Sequence, residues 1–141
     1  MACKILLVED NEADIELALH SFKSSSVLND ITIAHDSDTA WDMLVQEGDY
    51  KDSEMPDIVL LDINLPGKEG HALLEEIKKD MRLRKVIVIM LTNSESEIDI
   101  KRALTNKADG YMLKPANMVN LVETVSCING LGVQIIRNRP V

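Results

Sequence analysis

The chain has little cysteine, no long apolar run and no excess of positive charge, and each shortage removes a class of function. Two cysteines in 141 residues, Cys3 and Cys127, are too few and too far apart for a disulfide framework or a metal knuckle, and both read as small buried hydrophobes. The longest continuous apolar stretch, residues 86–91, falls far short of the ~20 residues that cross a bilayer. Glu9 and Asp10 interrupt the N-terminus before a secretory apolar region can form, so the expectation is a cytoplasmic protein without membrane contact. His20, His35 and His71 show no ligand spacing and are expected to be structural or exposed. There is no internal repeat, no low-complexity tract and no Pro/Gly linker, which predicts one folded domain.

Acidic residues prevail, 24 Asp and Glu against 15 Lys and Arg for a net charge of -9, a field that repels phosphate backbones and anionic lipid. Nucleic acid is therefore not expected as a direct partner. The excess is lopsided: residues 1–70 carry 16 acids and 4 bases, whereas residues 71–141 carry 8 and 11. The first half collects carboxylates.

Five apolar runs of strand length recur, at residues 5–8, 31–34, 58–61, 86–91 and 111–113. Helical spacing follows each of them. Ile15, Ala18, Leu19 and Phe22 mark the first helical segment, Ala40, Met43 and Leu44 the second, and Leu73, Leu74, Ile77 and Met81 the third. Ile100, Ala103 and Leu104 mark the fourth, opened by a capping box in which Ser94 caps and Glu97 reaches back, and Met118, Leu121, Val122 and Val125 mark the fifth. Continuous Val/Ile/Leu strands alternating with amphipathic helices predict an α/β domain, a doubly wound five-stranded parallel sheet with five helices. Residues 23–30 and 47–57 read as long loops, the seven methionines as core filler, and Trp41 as a packing or surface-anchor residue.

In such a fold the ligand site lies beyond the carboxyl ends of the strands. The first run ends in Glu9 and Asp10, the third in Asp62, the fourth in Thr92 and the fifth in Lys114 and Pro115. Three carboxylates brought together repel one another unless a cation lies among them, and a pocket of few carboxylates suits Mg²⁺. The Thr92 hydroxyl and Lys114 ammonium suit the oxygens of a phosphoryl group. Asp62 is the best-placed nucleophile toward phosphorus, and the backbone carbonyl of Asn64 offers a further metal ligand. Each residue also has an ordinary reading: an acidic pair at a helix N-terminus for Glu9 and Asp10, a solvated lysine, a strand-end threonine and a half-buried tyrosine for Tyr111.

Taken together, residues 4–11, residues 56–66 with Gly70, Thr92 and residues 111–115 resemble the receiver domain of two-component response regulators. The resemblance covers residues 1–128 and implies a flavodoxin-like receiver fold, with Asp62 as phosphoacceptor. It further implies Mg²⁺ held by Glu9 and Asp10, phosphoryl oxygens bound by Thr92 and Lys114, a cis peptide before Pro115, and a switch pair of Thr92 and Tyr111. The readout would be the face of the fourth helix, fifth strand and fifth helix, and Asn64 and Ser94 would tune phosphate loss. More loosely, the 47–57 loop and the 82–84 segment are similar to stand-alone regulators paired with bacterial and cyanobacterial phytochromes. That likeness implies a sensor histidine kinase as partner, a downstream protein as target, and a homodimer to which Ile98 and the C-terminal extension 129–141 contribute. A phosphorelay intermediate and a Mg²⁺-dependent aspartate-nucleophile phosphohydrolase are the alternatives. The second usually places its nucleophile on the first strand, with an acid two residues later where this chain has Asn64.

Overall fold

The structure, a computed structural model, describes residues 2–63, 65, 70–93 and 108–126. Along them run β1 (Cys3–Val8), α1 (Glu12–Ser24), β2 (Asn29–Ala34), α2 (Ser37–Val45), β3 (Ile58–Asp62), α3 (Gly70–Lys79), β4 (Ile87–Thr92), β5 (Gly110–Leu113) and α4 (Met118–Ser126). Single 3-10 turns occupy Gly48–Tyr50 and Met81–Leu83. The five strands form one parallel sheet in the order β2-β1-β3-β4-β5, the doubly wound α/β arrangement expected from the sequence. Here α4 is the fifth helical segment of the sequence. The fourth segment, with Ser94 and Ile98, lies outside the described residues, as do Asn64, Cys127 and the extension 129–141.

Period-two alternation sends each strand's side chains to two separate cores. Leu6, Val8, Val59, Leu61, Val88 and Met90 meet Leu44 of α2 and Leu73, Leu74 and Ile77 of α3 on one face. Ile5, Leu7, Ile58, Leu60, Ile89 and Leu91 meet Ala18 and Phe22 of α1 and Leu121 and Val125 of α4 on the other. Every residue of β3 is buried, because the strand lies mid-sheet with helices on both faces. Cys3 is buried as expected, and that burial, reinforced by the Asp57 charge, pushes its thiol up to about 12.

Several boundaries differ from the sequence reading for identifiable reasons. Strand β2 starts at Asn29 rather than at the first apolar residue, since Cys3 pairs with Asn29 in register and its N–H donates to Leu28 O at 3.0 Å. As an edge strand it leaves Asp30 and Thr32 exposed, so its apolar signal is short. Helix α1 runs on to Ser24, whose hydroxyl donates to His20 O at 2.7 Å, which shrinks the loop expected at 23–30 to four residues, 25–28. Strand β4 begins at Ile87 because Val86 N–H closes the preceding turn onto Leu83 O. The 47–57 loop is ordered, with Gln46 and Gly48 both at φ 60 and the Ser53 hydroxyl donating to Met43 O and Tyr50 O. Among the methionines, Met90, Met112 and Met118 fill the core, but Met81 is 75% exposed and fills nothing. Trp41 packs half-buried against the α2/α3 core, His71 is buried, and exposed His35 lies 3.3 Å from Glu12.

Candidate functional site

Parallel pairing carries the ends of β1, β3, β4 and β5 to one rim. Leu61 is opposite Val8, Asp62 opposite Leu91, and Thr92 opposite Leu113. Beyond the ladder, Glu9 N–H still donates to Ala34 O at 3.0 Å and Lys114 N–H to Thr92 O at 2.9 Å, so the first residue past each strand inherits the strand's direction. Ile63 N–H donates to Leu91 O, and Gly70 N–H to Ile63 O at 2.9 Å, which folds the start of α3 back onto the end of β3.

The side chains that converge there are Glu9, Asp10, Asp62 and Lys114, with Thr92 at the end of β4 on the same rim. One carboxylate oxygen from each of Glu9, Asp10 and Asp62 lies within 4.8 Å of the others, with Glu9 and Asp62 buried and Asp10 exposed. The Lys114 ammonium sits against Asp62 Oδ2 at 2.9 Å and Glu9 Oε2 at 3.0 Å. Glu9 Oε1 accepts from the backbone N–H groups of Asp10 and Asn11, both at 3.1 Å. The Asn11 side chain caps α1 by accepting from Asp14 N–H at 3.0 Å, so the residues that follow β1 turn directly into a helix. Thr92 is buried at the end of β4, the Lys114–Pro115 peptide is cis, and Tyr111 is 44% exposed on β5. Asn93, next to Thr92, is exposed. Asn64, the remaining candidate ligand, lies outside the described residues.

Burial dominates the electrostatics. Desolvation pushes the Glu9 carboxyl up to about 7, an effect that the Asn11 N–H and Lys114 bonds oppose and the Asp62 charge reinforces. Burial alone would lower the Lys114 ammonium, but its bonds to Asp62 and Glu9 outweigh that and raise it. One cation therefore serves two buried carboxylates.

The sequence reading overlooked Asp14. Its Oδ2 lies 3.8 Å from Lys114 Nζ, which makes it a third acidic neighbour of that ammonium. An acid in the first turn of a helix ordinarily needs no explanation beyond the helix dipole, and the only sequence signal is its position three residues after the capping Asn11.

Residues 5–126 match the response regulator receiver domain family. Response regulator Rcp1 of Synechocystis sp. (strain ATCC 27184 / PCC 6803 / Kazusa) is 34% identical over 132 residues, spanning 94% of this chain and 90% of Rcp1. The Mn²⁺-bound crystal structure of Rcp1 superposes with a TM-score of 0.75 at 36% identity, covering 89% of this chain and 90% of that one. The crystal structure of the phosphorylated cyanobacterial phytochrome response regulator RcpA gives 0.78 at 34% identity, covering 96% and 95%. With its flavodoxin-like sheet, its carboxylate rim and this family match, the chain belongs to the response regulator receiver domains and is related to the phytochrome response regulators.

Proposed function

We propose that the protein accepts a phosphoryl group from a sensor histidine kinase, a phytochrome by kinship, onto Asp62 and signals by a change of surface. The observation that carries this reading is the contact of the Lys114 ammonium with Asp62 Oδ2 at 2.9 Å, inside a cluster that also brings in Glu9 and Asp10. Asp62 sits on the most buried strand of the sheet, so its carboxylate is held in place for in-line attack. Attack of Asp62 oxygen on the phosphorus of a phosphohistidine forms the acyl phosphate bond and breaks the P–N bond, whose electron pair goes to the departing imidazole nitrogen. Lys114 neutralises charge on the transferred group, and the Thr92 hydroxyl donates to one of its oxygens.

Three carboxylates on one rim fit a hard, oxygen-preferring divalent cation. Glu9, Asp10 and Asp62 would hold Mg²⁺, with the Asn64 carbonyl as a further ligand, and the ion would supply neutralisation of the phosphoryl oxygens. Rcp1 has been crystallised with Mn²⁺ and RcpA in phosphorylated form, which supports the same chemistry here.

The output follows from the tie between β4 and β5. A shift of Thr92 toward a phosphoryl group acts on Lys114 N–H, which donates to the Thr92 carbonyl, and through β5 on Tyr111, which is 44% exposed. The resulting β5 and α4 face is what a downstream protein reads.

Intact mass after incubation with Mg²⁺ and a small acyl phosphate tests the reading. One phosphoryl adduct is expected on the protein and none on Asp62→Asn. Absence of the adduct with both the acyl phosphate and a phosphorylated histidine kinase refutes it, and catalytic turnover of many equivalents of a phosphate ester would favour a phosphohydrolase instead.

A further inference from the structure

Lys114 has three carboxylates within reach, and one of them stands apart from the acidic cluster. Its Nζ lies 2.9 Å from Asp62, 3.0 Å from Glu9 and 3.8 Å from Asp14. Glu9 and Asp62 share the cluster with Asp10, whereas Asp14 sits in the first turn of α1 with its side chain 25% exposed. The cap from Asn11 engages the backbone N–H of Asp14, which fixes that residue's place on the turn without using its carboxylate.

An ammonium and a divalent cation compete for the same negative charge, and they repel one another at these separations. Lys114 has a flexible four-carbon stem, and its backbone is anchored by the bond to Thr92 O. Its head can therefore swing while its root stays fixed. We propose that Asp14 is a positioning residue for Lys114, a second berth that receives the ammonium when a divalent cation enters the Glu9, Asp10 and Asp62 cluster. Asp14 thereby keeps Lys114 beside Asp62 instead of releasing it to solvent, and eases entry of the cation by offering the ammonium somewhere to go. This rests on the reading of the cluster as a divalent-cation site.

The test is calorimetric titration of the full chain with Mg²⁺ alone. Asp14→Asn is expected to bind Mg²⁺ about threefold more weakly, the scale of one partly exposed ion pair. Asp14→Glu restores the affinity, and in a Lys114→Met background the same Asp14→Asn change has no effect. A weakening of equal size with and without Lys114 would show simple loss of a nearby charge and overturn the proposal, as would unchanged affinity in Asp14→Asn. Should Lys114→Met not fold, Glu12→Gln serves as the control, because it removes an acid from the same helical turn that faces His35 instead. Equal losses in Glu12→Gln and Asp14→Asn overturn the proposal; a loss confined to Asp14→Asn supports it. If the unaltered chain binds no Mg²⁺, the metal reading fails first and the proposal falls with it.

Discussion

Glu9 is buried, ion-paired and still raised to about 7, and this combination makes the site sensitive to pH. A carboxyl whose pKa is higher in the folded than in the unfolded chain stabilises the fold below the unfolded value, and that contribution is lost as pH rises through the folded one. The window here runs from the ordinary glutamate range up to about 7. Only deprotonated Glu9 can hold a metal, so Mg²⁺ competes with that proton, and apparent affinity should fall about tenfold between pH 8 and pH 6. Thermal unfolding at the two pH values checks it: Mg²⁺ should raise Tm clearly more at pH 8, and Glu9→Gln should remove the difference. An equal rise at both pH values would contradict the assignment. The meeting of Glu9, Asp10, Asp62 and Lys114 was legible in the sequence because a parallel sheet must present its strand ends on one rim. Asp14 was not, because its part depends on where a flexible lysine from a residue 100 positions away places its head.

At the scale of elements, Gly70 at the start of α3 packs directly on the end of β3. A Cβ added at Gly70 would lie 2.2 Å from Asp62 O, 2.9 Å from Ile63 Cα and 3.0 Å from Ile63 O. All three are backbone atoms of the strand end, so no side chain can swing aside to make room. Gly70→Ala is expected to cost about 1–3 kcal/mol, read as a lower urea midpoint. The displaced segment carries Asp62, so formation of the phosphoryl adduct should also slow in molecules that remain folded. A variant with wild-type midpoint and wild-type adduct rate would show that the junction relaxes freely. Sequence periodicity located the strands and the helices that the described residues contain, since each buries a regular stripe. It misplaced the start of β2 and the end of α1, where the local interactions are backbone register with Cys3 and the cap bond from Ser25 N–H to Phe22 O. Neither leaves a mark on hydrophobic patterning.

Across the whole molecule, the net charge of -9 combines two different populations of acid. Surface acids such as Glu12, Glu16 and Asp38 are solvated, and their mutual repulsion is diffuse and screened by any salt over a Debye length of about 8 Å at physiological ionic strength. Glu9 and Asp62 are buried, and with Asp10 they form a cluster that bulk screening reaches poorly. Sodium chloride and magnesium chloride at matched ionic strength should therefore act differently. Both should raise Tm by relieving the diffuse repulsion, while Mg²⁺ adds a surplus from binding the folded chain, about 1.4 kcal/mol at a tenfold excess over its Kd. Asp10→Asn, at the exposed member of the cluster, removes one charge from it while leaving the surface population in place, so the response to sodium should persist and the magnesium surplus should shrink. Equal effects of the two salts on the unaltered protein would mean that the acidic rim behaves as ordinary surface, and the concentration of carboxylates in residues 1–70 would then have no tie to the site.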